Sequence, residues 1–195
     1  LTSVTEEWSV ATLSGPNAGK ILKAAGVDIS LDPADFPFMT MREAHIAGLP
    51  VRIFRISFTG ELSYEINIRA RHGLALWTHL MKAGAEFGIT PYGTEAMHVL
   101  RAEKGFIIVG QETDGSVTPQ DLGMDWIVSK VKPDYIGKRA LERASMAADN
   151  RKQLVGLRTK ERKQVIPEGA HAVLDPNQPM PMDMLGQVTS SYYSP

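Results

Sequence analysis

The clearest periodic pattern in the chain lies in segment 62–69, where apolar and polar residues alternate. One face carries Leu62, Tyr64, Ile66 and Ile68, and the other carries Ser63, Glu65, Asn67 and Arg69. A period of two predicts a β-strand with one face against a core. Similar runs at 39–46 and 51–58 are separated from their neighbours by short connections at Gly48 and Gly60. We therefore predict an antiparallel meander of three strands.

Helical spacing replaces this alternation after residue 70. In segment 72–88 the apolar residues Trp77, Leu80, Met81, Gly84 and Phe87 fall on one stripe. This spacing predicts an amphipathic helix that covers one face of the sheet. A second helix is predicted at 93–105, ended by Gly105. An earlier helix is predicted to have Pro16 in its first turn and to end at Gly26.

The segments after residue 105 predict shorter elements. The apolar run at 106–110 is typical of a buried strand. Thr118 and Asp121 have the spacing of an imperfect capping box, which predicts a short helix. Trp126 stands in an apolar stretch and is predicted to lie in the core. A surface helix is predicted at 136–150.

The composition and pattern of the chain change near residue 149. Short β-like runs and proline-rich turns follow this point, which favours a second, all-β unit. We therefore predict two domains, 1–148 and 149–195. The first is predicted to be of the α+β class, with an antiparallel sheet and covering helices.

Charge and composition argue against several classes of function. The 195 residues carry a net charge of −1, whereas a general nucleic-acid binder needs a basic surplus. The chain has no cysteine, which excludes a disulfide framework and a thiolate metal site and fits a reducing, cytoplasmic location. No apolar run approaches the roughly 18 residues that span a bilayer, so no membrane contact is expected. The five histidines lack metal-ligand spacing, and no metal is expected.

Glu65 has two interpretations on this pattern. A glutamate on the polar face of an antiparallel strand is usually solvated. It can also point at a ligand, which Ser63 and Asn67 on the same face could share. The chain contains no phosphate loop, dinucleotide fingerprint or nucleophile elbow that would favour another site.

Four motifs occur in order along the chain: RISFTGELSYEINI, GTEAMHVLRAEKGFIIVGQETDGSVTPQDLGMDWIV, YIGKRAL and LVGL. This series resembles the folate-dependent aminomethyltransferase family, whose prototype is the T-protein of the glycine cleavage system. The LRAEKG motif and the terminal LGQVTSSYYSP are similar to the family branch of sarcosine oxidase alpha subunits and dimethylglycine dehydrogenases. The resemblance implies a T-protein-like fold with a ferredoxin-like central unit, followed by a small, truncated β-barrel.

The resemblance also implies a folate site. In the family, tetrahydrofolate lies in a central cavity and the glutamate of the YEI motif, here Glu65, holds the pterin ring. Phe58 stands where many relatives have a tyrosine, and it would pack against the pterin without offering a hydroxyl. Met97 replaces a family arginine, and Arg101 on the same helix face is a secondary folate-binding candidate. The family's catalytic aspartate is expected upstream of residue 1, so no catalytic residue is assigned and the isolated chain is expected to be inactive.

The function implied by the resemblance is folate-dependent capture of a one-carbon unit in a sarcosine oxidase. Sarcosine would be oxidised at a flavin in a beta subunit, giving glycine, hydrogen peroxide and 5,10-methylenetetrahydrofolate. FAD, FMN and NAD are expected elsewhere in the complex, and the beta, gamma and delta subunits are the expected partners. Two alternatives stay open: a fragment of a T-protein or dimethylglycine dehydrogenase-like enzyme, and a non-catalytic folate-binding or scaffold module.

Overall fold

The structure, a computed structural model, describes residues 1–161 and 163–195. The chain divides into two compact units, unit 1 (Leu1–Phe106) and unit 2 (Ile107–Pro195). The predicted domain boundary at 148/149 lies within unit 2 and stays a prediction.

Unit 1 is built on a four-stranded antiparallel sheet with the strand order β1-β4-β3-β2. The strands are β1 (Trp8–Ser14), β2 (Met41–Ile46), β3 (Leu49–Phe54) and β4 (Ser63–Arg69). Strands β2, β3 and β4 confirm the predicted meander. Strand β1 is an addition that the alternating pattern did not predict.

The connectivity of unit 1 differs from the ferredoxin-like order that the resemblance implies. Strands β2, β3 and β4 follow one another without an intervening helix. A ferredoxin-like unit instead places a helix between its third and fourth strands. The connection between β3 and β4 spans only residues 55–62, which is too short for a crossover helix, so the two strands pair antiparallel. The α+β class, with an antiparallel sheet covered by helices, is confirmed.

The core of unit 1 lies on one face of this sheet, which we call the inner face. Helices α1 (Ala18–Ala24) and α2 (Gly73–Gly84) cover it. In α1 the buried residues Ala18, Ile21 and Leu22 recur at the i, i+3, i+4 spacing of an amphipathic helix. The buried apolar residues are Leu13, Ala18, Ile21, Leu22, Ala25, Leu31, Phe36, Ala44, Ile46, Val51, Ile53, Tyr64, Ile66, Ile68, Leu76 and Leu80. Burial of each large side chain contributes about 1.5–3 kcal/mol.

The buried residues of α2 agree in part with the predicted stripe. Leu80 and Gly84 are buried as predicted, whereas Leu76 is buried in addition and Trp77 is 48% exposed. Neighbouring residues differ by about 100° around a helix, so Trp77 points away from the core that Leu76 faces. A Cβ atom at Gly84 would lie 2.6 Å from the Cβ of Ile89, which explains the glycine at this contact.

Helix α3 (Thr94–Glu103) confirms the second predicted helix, and Gly105 follows its end with φ +74°. The buried strand predicted at 106–110 is wrong. The N–H of Phe106 donates to the carbonyl of Arg101 at 2.9 Å, and the N–H of Ile108 donates to Glu112 Oε2 at 2.7 Å. Because local turns use these backbone groups, they are not available to a sheet, and Val109 is 84% exposed.

Unit 2 contains little regular structure. Its elements include α4 (Lys138–Leu141) and a two-stranded antiparallel sheet of β5 (His171–Val173) and β6 (Met184–Gln187). The helix predicted at 136–150 is thus much shorter than expected. The described residues of unit 2 form no closed barrel. Trp126 is 73% exposed, so its predicted place in the core is wrong.

A polar cluster holds part of unit 2 together. The N–H of Thr118 donates to Asp121 Oδ2 at 2.7 Å, and the N–H of Asp121 donates to Thr118 Oγ1 at 3.4 Å, which confirms the predicted capping box. Arg151 donates through Nε to Asp121 Oδ1 at 2.8 Å and through Nη2 to Asp121 Oδ2. These side-chain bonds from Arg151 lower the pKa of the buried Asp121 carboxyl to about 2. We call these three residues the Asp121 cluster. Its contacts are structural, because they join segments that are distant in sequence.

Candidate functional site

The face of the unit 1 sheet opposite the core, which we call the outer face, carries the polar half of the alternating pattern. Strand β4 is an interior strand, so its outer-face residues have neighbours on both sides. The outer-face positions are Trp8, Val10, Thr12 and Ser14 on β1, Ser63, Glu65, Asn67 and Arg69 on β4, Pro50, Arg52 and Phe54 on β3, and Met41, Glu43 and His45 on β2.

Glu65 lies at the centre of this face, in register with Thr12 on β1 and Phe54 on β3. The residue is half-buried. Its carboxylate makes no hydrogen bond or ion pair with any residue in the ranges 1–161 and 163–195. Both carboxylate oxygens are thus available to accept hydrogen bonds from a ligand on this face.

Ser63 and Asn67, the neighbours of Glu65 on β4, differ in their contacts. The hydroxyl of Ser63 is buried and lies 2.8 Å from the hydroxyl of Ser14, which in turn accepts a hydrogen bond from the Tyr92 hydroxyl at 3.3 Å. Ser63 is thus engaged by the protein. Asn67 is half-buried, and its amide makes no hydrogen bond within the described part of the chain, so it can share a ligand with Glu65.

The far end of the outer face carries positive charge around an aromatic ring. The guanidinium carbons of Arg52 and Arg69 lie 4.9 and 4.7 Å from the centre of the Trp8 ring. Each arginine also has a carboxylate partner: Glu43 at 3.3 Å from Arg52 and Glu7 at 2.5 Å from Arg69. Because these carboxylates balance the arginines, the group is an internally neutral cross-strand cluster.

Phe58 lies in the loop between β3 and β4 rather than on the outer face. Its half-buried ring is 6.2 Å from the ring of His98 on α3, with a tilt of 38° between the planes. The same loop is fixed to the end of α3, because Lys104 Nζ lies 2.8 Å from Glu61 Oε1. This hydrogen bond raises the pKa of Lys104. Phe58 is thus placed beside α3, and its predicted contact with a pterin stays a prediction.

Arg101 is only 2% exposed and lies on α3, one turn after His98. Its Nη1 donates to the carbonyl of Phe106 at 3.2 Å, which closes the end of the helix. The contact is structural, and the predicted role of Arg101 toward folate stays a prediction. Met97 lies on the same helix and is half-buried.

Two polar or aromatic features of this unit were missed by the sequence analysis. Phe54 is the register partner of Glu65, but a pairing register cannot be read from one strand's alternation. The hydroxyl of Ser57 is buried and has no hydrogen-bond partner within the described residues. Nothing in the local pattern distinguishes such a serine from a solvated one.

The described residues contain no group of three or more His, Cys, Asp or Glu side chains that could hold a metal ion. None of the helices formed by these residues is long and apolar enough to cross a membrane. The outer face also offers no paired nucleophile and base among the contacts of Ser14, Ser63 and Tyr92.

Comparison with known proteins gives a consistent family relationship. Residues 1–132 match the family described as GCVT N-terminal domain. The chain is 48% identical over 201 residues to the sarcosine oxidase subunit alpha of Corynebacterium sp. (strain P-1), covering 100% of this chain and 20% of that protein. It is 34% identical over 191 residues to the aminomethyltransferase of Halothermothrix orenii, covering 98% of this chain and 50% of the relative.

Among solved structures, the chain is similar to the heterotetrameric sarcosine oxidase from Corynebacterium sp. U-96 in complex with pyrrole 2-carboxylate. The identity is 27%, the TM-score is 0.41, and the match covers 47% of this chain and 45% of that chain. The sarcosine oxidase alpha subunits that the sequence matches are about five times longer than the chain, which spans 20% of their length.

Proposed function

Since the chain belongs to the GCVT N-terminal domain family, we propose that it forms a folate-binding, one-carbon transfer region of a sarcosine oxidase alpha subunit. The proposal is supported by similarity to such subunits along the whole chain. The similar aminomethyltransferase supports the one-carbon part of it. The activity, substrates and partners of the larger protein are part of the proposal.

The observation that carries the proposal is the carboxylate of Glu65, half-buried at the centre of the outer face and without a partner among the described residues. An ionised carboxylate only accepts hydrogen bonds, and its two oxygens match the adjacent N–H donors on the 2-amino and ring-nitrogen edge of a pterin. The residues present therefore fit tetrahydrofolate. A glutamine at this position would offer one acceptor and one donor, and would lose one of the two bonds.

In this function the chain orients one reactant beside another. Tetrahydrofolate supplies the amine nitrogens that accept the one-carbon unit. Glu65 fixes the ring that carries these nitrogens, while Asn67 can add a hydrogen bond from the same strand. Holding both reactants in one geometry replaces a bimolecular encounter with an effectively intramolecular one.

The remaining chemistry is proposed to occur outside this chain. Sarcosine is oxidised at a flavin, oxygen is reduced to hydrogen peroxide, and glycine is released. FAD, FMN and NAD would bind elsewhere in a cytoplasmic complex with beta, gamma and delta subunits. The lack of a dinucleotide fingerprint in this sequence supports the binding of these cofactors elsewhere.

The proposal can be tested in the full-length protein assembled with its partner subunits. Sarcosine labelled with carbon-13 on the methyl group should transfer the label to methylenetetrahydrofolate and produce peroxide. Glu65→Gln should reduce transfer of the label but leave peroxide formation unchanged. Glu43→Gln, which changes an exposed carboxylate on the same face, is the matched control. Absence of sarcosine-dependent peroxide would contradict the oxidase assignment.

A second candidate function is an aminomethyltransferase without oxidase activity. The similarity to an enzyme of that name, over half of its length, favours this alternative. In that case tetrahydrofolate should bind, and its binding should depend on Glu65. Sarcosine should give no peroxide with any partner subunit. The labelling experiment therefore distinguishes the two functions.

A further inference from the structure

The aromatic ring next to Glu65 is that of Phe54. The two residues are directly paired between β4 and β3, which puts both side chains on the outer face. Directly opposed residues of an antiparallel pair have Cβ atoms about 4.5–5.5 Å apart. On the next strand, Met41 is the register partner of Phe54, so an apolar strip runs from Glu65 to the edge of the sheet.

We propose that Phe54, extended by Met41, is the apolar wall against which a planar ring held by Glu65 rests. This inference rests on the proposed folate site and names a residue that determines specificity within it. A pterin presents N–H donors at one edge and an apolar π-face. Glu65 would accept hydrogen bonds from the N–H groups at the edge, and Phe54 would pack against the face of the ring. A flat heteroaromatic ring is thereby preferred over a flexible aliphatic amine of similar hydrogen-bonding capacity.

The exposure of the two side chains supports this arrangement. Phe54 is half-buried, and Met41 is 40% exposed, so both keep apolar surface available on the outer face. Within the described residues, Phe54 has no aromatic or cationic partner. Aromatic side chains and the thioether of methionine both make favourable contacts with π-systems.

Phe58, the aromatic residue singled out by the sequence, is engaged differently. Its ring faces His98 on α3, and no strand pairing places it beside Glu65. The two phenylalanines therefore make opposite predictions for ligand binding. Phe54 should affect affinity for the ring, whereas Phe58 should act through the packing of its loop.

The test is a set of calorimetric titrations on the full-length polypeptide that carries these residues. The probes are tetrahydrofolate, a simple pterin and p-aminobenzoylglutamate. Phe54→Leu keeps an apolar side chain without a ring, and it should weaken binding of tetrahydrofolate and of the pterin about tenfold. Phe54→Tyr, which restores a ring, should bind within about twofold of wild type. Binding of p-aminobenzoylglutamate should not change in either variant.

Phe38→Ala is the matched control, since Phe38 is 56% exposed and lies outside the sheet. Thermal unfolding of every variant checks that the fold is retained. If wild type binds tetrahydrofolate and Glu65→Gln weakens it, but Phe54→Leu binds as wild type, the inference about Phe54 is overturned and the folate site stands. Equal loss for all three probes in Phe54→Leu would also overturn it, because that result indicates a general structural role. If wild type binds none of the probes, the proposed function and the inference fail together.

Discussion

The carboxyl group of Asp121 accepts hydrogen bonds from both the side chain of Arg151 and the backbone of Thr118. Arg151 and the backbone of Thr118 hold its pKa at about 2, below the ordinary value of 3.8. A carboxyl with a lowered pKa contributes stability above its unfolded pKa and loses it as the pH falls through the folded value. The contribution should be on the order of 1–2 kcal/mol at neutral pH and should disappear between about pH 4 and pH 2.

Asp121→Asn should remove this pH dependence. The measurement is amide exchange at Thr118, whose N–H donates to Asp121 Oδ2, corrected for the intrinsic rate at each pH. In wild type the protection of this amide should fall as the pH drops from 4 to 2, and in the variant it should be low throughout. Asp125→Asn, which changes an exposed aspartate nearby, should behave as wild type. A pH-independent wild type would show that Asp121 does not hold the cluster.

Residue-level features could be predicted from the sequence only where local spacing determines them. Thr118 and Asp121 are three positions apart, so their reciprocal capping bonds were predictable. Arg151 is far away in sequence, and its bonds to Asp121 carry no local signal. Alternation likewise predicted which face of β4 carries Glu65. The absence of a partner for Glu65 among the described residues depends on the neighbouring strands β1 and β3 and could be seen only in the structure.

The loop between β3 and β4 is constrained at Gly60. Gly60 has φ +78°, and a Cβ atom there would lie 2.7 Å from Cβ and Cγ of Lys104. Gly60→Ala combines an unfavourable backbone conformation with a steric clash against the end of α3. It should lower the free energy of unfolding by about 1–3 kcal/mol, measured by urea denaturation.

Gly105→Ala is the matched control for this change. Gly105 has a similar φ of +74°, but a Cβ atom there would meet nothing within 4 Å. This variant should therefore show only the backbone cost, about 1 kcal/mol. If the two variants lose the same free energy of unfolding, the contact between the loop and Lys104 does not contribute to stability.

Secondary-structure elements were predictable where one period dominated a segment. The strands at Met41–Ile46, Leu49–Phe54 and Ser63–Arg69 follow the alternation, since each presents one face to the core. In α2 the predicted burial of Leu80 and Gly84 is confirmed, but that of Trp77 is wrong, because Trp77 is large and apolar yet exposed. The run at 106–110 was misread as a strand because a short apolar segment does not reveal whether a pairing partner exists.

The molecule as a whole has an uneven distribution of core residues. All of the buried apolar residues that the structure describes belong to unit 1. In unit 2 the buried residues are polar: Glu112, Thr118 and Asp121. The hydrophobic effect therefore stabilises unit 1 far more than unit 2. The change in composition near residue 149 could not predict this division. It indicates where short strands and proline-rich turns begin, but not which residues are buried.

This difference should appear in native-state hydrogen exchange. Local stability follows buried apolar contacts, so the amides of Ile66 and Ile68 on β4, corrected for intrinsic rates, should exchange at least about a hundredfold more slowly than those of Ala172 and Gly186, which are register partners in the β5–β6 sheet. A hundredfold ratio corresponds to about 2.7 kcal/mol. Equal protection in the two sheets would contradict the assignment of the core to unit 1.

The proposed hold of Glu65 on a pterin is tested most directly by calorimetric titration of the full-length polypeptide with tetrahydrofolate. Hydrogen bonds to a charged group are worth about 1.5–3 kcal/mol each, so Glu65→Gln should weaken binding by roughly 10- to 100-fold. Glu43→Gln, at an exposed carboxylate of the same face, should bind as wild type. Equal affinities for wild type and Glu65→Gln would contradict the account.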